Sequence, residues 1–176
     1  FRSVSIATLL LYGARANEVG AKAVLELFTS QGCSSCPPAD RLAAQMAKRE
    51  GIVLLSLPID YWDYLGWKDT FAQPAFTARQ RAYAHSRGDR RIYTPQVVVN
   101  GVSAVVGSDA EAIERAVART DSETDVLCTK VALHQSGDRI TVSVAAEPSR
   151  SGTVVLAAVA RQLTVNFHRG ENANER

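Results

Sequence analysis

Apolar and polar positions fall into blocks along the chain, and each block carries the period of one kind of element. Ala23-Val24-Leu25-Glu26-Leu27-Phe28-Thr29 is an apolar run interrupted by a single acid, the pattern of a buried strand. Within residues 39 to 50, Leu42, Ala43, Met46 and Ala47 recur at helical spacing; Lys48 and Arg49 fall in the last turn and Gly51 supplies a stop. Ile52 to Ile59 is rich in branched side chains and nearly continuous in hydrophobicity, which predicts a parallel strand covered on both faces. Strand, helix, strand makes a βαβ unit.

After Asp60 the pattern breaks into Tyr61-Trp62-Asp63-Tyr64-Leu65-Gly66-Trp67, and five aromatic residues fall between Tyr61 and Phe71. This stretch is either a packed excursion over the sheet edge or the wall of a binding groove. Pro74 opens a helix predicted to run through Ser86 and to end in the basic loop Arg87-Gly88-Asp89-Arg90-Arg91. Thr94 to Val102 then reads as two short strands around Asn100-Gly101, a pair that supplies the positive φ a tight hairpin needs. Asp109 is placed to cap a helix over residues 110 to 119, with Ala112, Ile113, Ala116 and Val117 on its apolar face.

From Val126 the composition turns to β. Leu127 to His134 and Arg139 to Ala146 alternate around Gln135-Ser136-Gly137-Asp138, Thr153 to Ala160 reads as a third strand, and a last one near Leu163 to Phe167 runs into a polar tail. The periodicity therefore divides the chain into an N-terminal segment, residues 1–21; an α/β domain, residues 22–120, whose order is βαβ, helix, hairpin, helix; and a β-rich appendage, residues 121–176. That order is thioredoxin-like.

Charge narrows the picture. The formal net charge is +2, and Arg2 and Arg15 supply it, leaving residues 17–176 with 18 basic and 18 acidic side chains. Such a balance lacks the footprint of a nucleic-acid binder. Arg2, the apolar stretch Val4 to Tyr12 and Ala14-Arg15-Ala16 together resemble a partial export signal with a small-x-small cleavage site, the alternative being an ordinary first helix or strand. No run reaches the roughly 20 apolar residues of a spanning helix, so no membrane span is expected. A chain of 176 residues can bury a core without metal or disulfide staples.

The chemistry-bearing feature is Cys33-Ser34-Ser35-Cys36, between the first strand and the first helix. That context is the sequence form of a redox pair. A structural disulfide or a zinc half-site is the alternative, although the one further cysteine, Cys128, cannot complete a four-thiolate site within one chain. Cys128 reads as a buried small residue.

Several blocks carry a resemblance. Glu26-Leu27-Phe28-Thr29-Ser30-Gln31-Gly32-Cys33-Ser34-Ser35-Cys36-Pro37-Pro38-Ala39-Asp40, then Asp60-Tyr61-Trp62-Asp63 with Leu65-Gly66-Trp67, then Tyr93-Thr94-Pro95-Gln96 and Asn100-Gly101, resemble the bacterial secreted, thioredoxin-like family of unknown function called domain of unknown function 1223. The resemblance covers most of residues 22–119, and Arg169-Gly170-Glu171-Asn172-Ala173 resembles a further segment of it. It implies a thioredoxin-like fold, export to the periplasm or outside the cell, and a β appendage that continues into further strands. It supplies no reaction.

Roles at the site follow from thiol chemistry. Cys33 is the expected nucleophile, its anion favoured ahead of a helix N-terminus, and Cys36 the resolving thiol. Pro37 and Pro38 weaken this help: a residue before proline is pushed away from α conformation, so the helix either starts at Pro37 or kinks. Likeness to thioredoxin-like proteins implies that Pro95 is cis and faces the pair, with Thr94 beside it pairing with the substrate chain. Tyr61, Trp62 and Trp67 are candidates to flank the groove. Glu26 and Asp60 are the expected proton acceptors for Cys36, the alternatives being an exposed pleat position and a turn cap. Asp40 is an ordinary acid at a helix start.

The leading reading is an exported thiol-disulfide oxidoreductase, or redox-active binding protein, acting on protein thiols and disulfides without a cofactor. Two rivals stand beside it. One is a copper carrier using Cys33 and Cys36 with an imidazole from His85 or His168; His134 completes the scattered histidines. The other is a non-catalytic interaction module with a structural disulfide.

Overall fold

The computed structural model describes residues 21–122, 127, 129–145, 153–161, 163, 165 and 172. The export-signal stretch in residues 1–16, Cys128 and His168 lie outside the described residues. The elements are β1 (Ala23–Thr29), α1 (Pro37–Met46), β2 (Ile52–Pro58), α2 (Pro74–Arg87), β3 (Gln96–Val99), β4 (Ser103–Val106), α3 (Ala110–Ser122), β5 (Val131–Ser136) and β6 (Arg139–Val144). The first seven form a mixed α/β unit around a four-stranded sheet of order β2-β1-β3-β4. In it β1 runs parallel to β2 and antiparallel to β3.

Because β1 is central, both its faces are covered. Leu25 and Leu27 pack with Ala39, Ala43 and Met46 of α1 and Ile113 and Ala116 of α3, while Phe28 packs with Leu57, Ile59 and Val98 and the half-buried Phe76 and Tyr83 of α2. Full burial of each such side chain stabilises by about 1.5–3 kcal/mol. The carboxyl end of this well-anchored strand delivers the chain directly to Cys33.

β2 is parallel and has neighbours on both faces, as its continuous hydrophobicity predicts, but it is an edge strand: only Leu57 is buried and Val53 is exposed. Ile52 and Leu54 still pack on one side and Leu55 on the other. Apolar continuity reports that two faces have neighbours, and it does not report whether both edges do.

The hairpin forms as predicted, with Asn100 and Gly101 at φ 52 and 73. Asn100 also works beyond the turn. Its Oδ1 accepts from Val24 N at 2.7 Å and its Nδ2 donates to Thr120 Oγ1 at 2.7 Å, fastening the hairpin to β1 and α3. Asp109 caps α3 by accepting from Ala112 N at 2.8 Å.

Among the described residues the β appendage holds one hairpin. β5 and β6 pair antiparallel as a two-stranded sheet, but β5 starts at Val131 rather than Leu127. Residues 153–160, expected to be a third strand, carry no strand pairing and are exposed throughout. Strand propensity without a neighbouring ladder to complete cannot form a strand by itself. Of the last expected strand only residues 163 and 165 are described, and neither is in a strand. No helix among the described residues is long and apolar enough to cross a membrane.

Candidate functional site

The first turn of α1 sets the position of the cysteines. Pro37 and Pro38 occupy its first two helical positions, where an amide hydrogen has no intrahelical partner in any case. Cys36 is the N-cap at φ −80 and ψ −34, so it holds α conformation despite the following proline. Its carbonyl accepts from Ala39 N at 2.9 Å and Asp40 N at 3.0 Å, and no kink is needed because Ser34, which Pro38 would oppose, stands outside the helix. The two prolines leave this helix end with few free amide hydrogens, so the dipole gives a Cys33 thiolate limited help.

Cys33 and Cys36 are joined by a disulfide. Cys36 is wholly buried and Cys33 is 5% exposed, while Ser34 and Ser35 between them are exposed. The Ser35 hydroxyl lies 3.5 Å from Cys33 Sγ, within reach of donating to a sulfur anion. The loop is pinned by Cys33 N donating to Ser30 O at 3.1 Å and Cys36 N donating to Cys33 O at 3.1 Å.

Trp62 links this loop to the one that precedes β3. Its backbone oxygen and Cβ lie 3.2 and 3.3 Å from where a Cβ on Gly32 would stand, and its Nε1 donates to Thr94 Oγ1 at 2.7 Å. The Thr94-Pro95 bond is cis, as expected. Pro95 is buried and packs near Leu27 and Ala39 over Gly107: a side chain there would meet Leu27 Cδ1 at 2.9 Å, Pro95 Cβ at 3.0 Å and Ala39 Cβ at 3.2 Å. Trp67 reaches the same corner, its Nε1 donating to Gln31 Oε1 at 2.7 Å. Cys33, Cys36, Thr94, Pro95, Trp62 and Trp67 are thereby gathered at one end of the sheet.

Tyr61, Glu26 and Asp60 point to different work. Tyr61 packs beside the Phe28 cluster and donates to Gln80 Oε1 at 3.2 Å. The Glu26 carboxylate, buried in β1, accepts from Arg79 Nε at 2.5 Å, Arg79 Nη2 at 2.8 Å and the Tyr83 hydroxyl at 2.6 Å. Burial, followed by the bond and charge of Glu26, pushes the Tyr83 hydroxyl far above the usual phenol range. Asp60 Oδ1 accepts from Thr77 Oγ1 at 2.6 Å. Both carboxylates serve to attach α2.

Two other acids and an amide lie closer to the disulfide loop. Asp40, one turn beyond Cys36, has its carboxyl raised from 3.8 to about 6, chiefly by desolvation beside Thr29, whose hydroxyl opposes the shift, with the Asp69 charge adding to it. The residue as a whole is exposed. Thr29 Oγ1 is itself buried with no hydrogen bond of ordinary geometry. Asp69, 3% exposed, accepts from Gln31 N and Phe71 N at 2.8 Å each; desolvation raises its carboxyl while those amides hold it down. Asn172, also 3% exposed, donates from Nδ2 to Gln31 O at 2.6 Å and Cys33 O at 3.0 Å. Asp69 hides in the aromatic excursion, and nothing local to Asn172 signals a partner 139 positions away.

Against this geometry, the sequence model of the family described as "Protein of unknown function (DUF1223)" matches residues 24–176. The chain belongs to the DUF1223 family. This DUF1223 chain is also 38% identical over 37 residues to a protein of Archaeoglobus fulgidus described as "Probable Thioredoxin", a match covering 21% of this chain and 41% of that one. An X-ray crystal structure of a protein from Agrobacterium tumefaciens superposes with a TM-score of 0.68 at 39% identity, over 72% of this chain and 57% of the other. The chain thus spans less than two thirds of either relative's length.

For metal chemistry the described residues gather no group of three or more His, Cys, Asp or Glu side chains. His85 lies exposed in the last turn of α2 and His134 exposed in β5.

Proposed function

We propose that this DUF1223 protein is a thioredoxin-like thiol-disulfide oxidoreductase of an extracytoplasmic compartment. One observation carries the reading: the Cys33–Cys36 disulfide stands at the head of α1, with the Cys36 sulfur buried, Ser35 at the Cys33 sulfur, and Trp62 joining the adjoining Gly32 turn to Thr94. The short match to the described thioredoxin supports the fold part of it. A pair held as a disulfide suits a compartment where disulfides persist.

In the reduced protein the Cys33 thiolate attacks one sulfur of a substrate disulfide. A bond forms between Cys33 Sγ and that sulfur, the substrate disulfide breaks, and its other half leaves as thiolate. Cys36, once deprotonated, attacks Cys33 Sγ and expels the second substrate thiolate, so the protein gives two electrons and ends as the disulfide. The same steps reversed oxidise a substrate dithiol. The acceptor assigned to the Cys36 proton is Asp40, whose backbone bonds Cys36 O one turn into α1 and whose carboxyl desolvation raises to about 6, whereas Glu26 and Asp60 are engaged by α2. Thr94, Trp62 and Trp67 border the place where substrate chain meets the pair.

Turnover of a small-molecule disulfide by the reduced protein tests the proposal. Activity lost in both Cys33→Ser and Cys36→Ser is the expected result. Wild-type protein without turnover that binds Cu(I) tightly, with the binding lost in Cys33→Ser, overturns it in favour of a copper carrier.

A further inference from the structure

The mechanism above asks Cys33 to meet a large partner, yet Cys33 is 5% exposed. The loop carrying it is gripped from two directions. On one side Gln31 N donates to Asp69 Oδ2 at 2.8 Å, Gln31 Oε1 accepts from Trp67 Nε1 at 2.7 Å, and Gln31 Nε2 donates to Thr70 Oγ1 at 3.1 Å. These partners all come from the excursion between β2 and α2. On the other side, among the described residues, stands Asn172. The two hydrogens of its Nδ2 go to the carbonyls of Gln31 and Cys33, which bracket Gly32. Cys33 O also accepts from Cys36 N at 3.1 Å, so both of its lone pairs are engaged while the disulfide is in place.

We infer that Asn172 is a positioning residue that clamps the disulfide loop closed, and that exchange at Cys33 requires its amide to leave Gln31 and Cys33. The inference rests on the reading of Cys33–Cys36 as an exchange-active pair, but it concerns access to the sulfur rather than turnover. Asparagine suits a clamp of this kind: it fills two acceptors from one nitrogen and carries no charge, so its hold does not titrate. Asp40, near the same corner, does titrate, at about 6. The two contributions therefore separate on a pH axis.

The test is the rate at which dithiothreitol reduces the oxidised full-length chain, followed by alkylating the freed thiols and counting them against Cys128. In this reaction a dithiothreitol thiolate bonds to Cys33 Sγ, the Cys33–Cys36 bond breaks, and Cys36 leaves as a thiolate that is then protonated. The second dithiothreitol thiolate closes its own ring and releases Cys33, so the protein gains two electrons and two protons. Asn172→Ala removes both donors, and the loss of two hydrogen bonds from the closed loop is expected to speed reduction about tenfold. The acceleration should be equal on either side of pH about 6, the range in which Asp40 titrates. Asn172→Asp keeps the side-chain size and loses the donors, so it should accelerate similarly even if the alanine variant fails to fold. Asn172→Gln retains an amide and should fall between. A folded Asn172→Ala or Asn172→Asp protein reduced within about twofold of the wild-type rate would overturn the clamp. Wild-type protein inactive on a small-molecule disulfide would count against the oxidoreductase reading alone, since the clamp is read from the reduction rate.

Discussion

Leu27 in β1 and Leu133 in β5 are both leucines inside strands, yet Leu27 is 0% exposed and Leu133 53%. The difference is the second layer. β1 has a strand on each edge and helices on each face, so Ala23, Leu25, Leu27 and Phe28 all find apolar partners. Among the described residues β5 pairs with β6 alone, and Val131, Leu133, Ile140 and Val144 stay exposed. The disulfide corner grows out of the region where packing is over-determined. A sulfur pair that must keep its geometry through bond making and breaking is best held by such a strand.

The sharpest way to break this contrast is Leu27→Ala. Deleting a buried leucine should lower unfolding stability by about 2–5 kcal/mol, measured by denaturant titration. A loss no greater than that of the matched hairpin substitution would erase the distinction between the two regions.

Next in size is the buried ion pair. Arg79→Ala leaves the Glu26 carboxylate buried with Tyr83 as its remaining partner, at a cost of about 2 kcal/mol; a fully enclosed pair would cost more, but the Arg79 side chain is half exposed and water can replace part of it. Glu26→Gln removes the charge while retaining an acceptor, and should cost less than Arg79→Ala in the same titration. The reverse order would show that Glu26 is not the buried member that needs compensation.

Asp40 gives a pH signature. Its folded-state value, raised from 3.8 to about 6, means that the folded chain holds more protons than the unfolded one between these values. Stability from this group is therefore fully present below 3.8, falls as pH rises toward about 6, and is level above that. Thermal melts of Asp40→Asn should show the variant gaining on wild type across this window and holding the gain above it. Parallel melting curves at every pH would contradict the shift.

The smallest effect is expected in the hairpin. Leu133→Ala removes a side chain already half in water and should change stability by no more than about 0.5 kcal/mol.

The elements around the disulfide were legible because each is announced locally. The period of β1, the Asn100-Gly101 turn, the Asp109 cap and the proline-opened helices all depend on near neighbours, and the structure places them within a few residues of where the pattern does. Edge position was not legible for β2, because its composition reports faces rather than edges. The acids show the same divide. Glu26 and Asp60 stand out in sequence as carboxylates in or after strands, but their partners Arg79, Tyr83 and Thr77 come from α2 and redirect them. Asp40, read as an ordinary helix-start acid, is set apart only by the desolvation that raises its carboxyl, which Thr29 opposes and the Asp69 charge reinforces. Asn172 is visible only once the chain has folded back on residues 31 and 33. In the appendage alternation predicted strands that residues 153–160 do not form, since a ladder needs a partner that periodicity cannot supply.

The central claim, that the Cys33–Cys36 pair exchanges with other proteins, is tested most directly by trapping with Cys36→Ala. Without its resolving thiol, Cys33 should accumulate mixed disulfides with partner proteins, visible as reducible higher-mass species that vanish in the Cys33→Ser, Cys36→Ala double variant. Recovery of none, under conditions that trap a control oxidoreductase, would contradict the account and leave the disulfide a structural one.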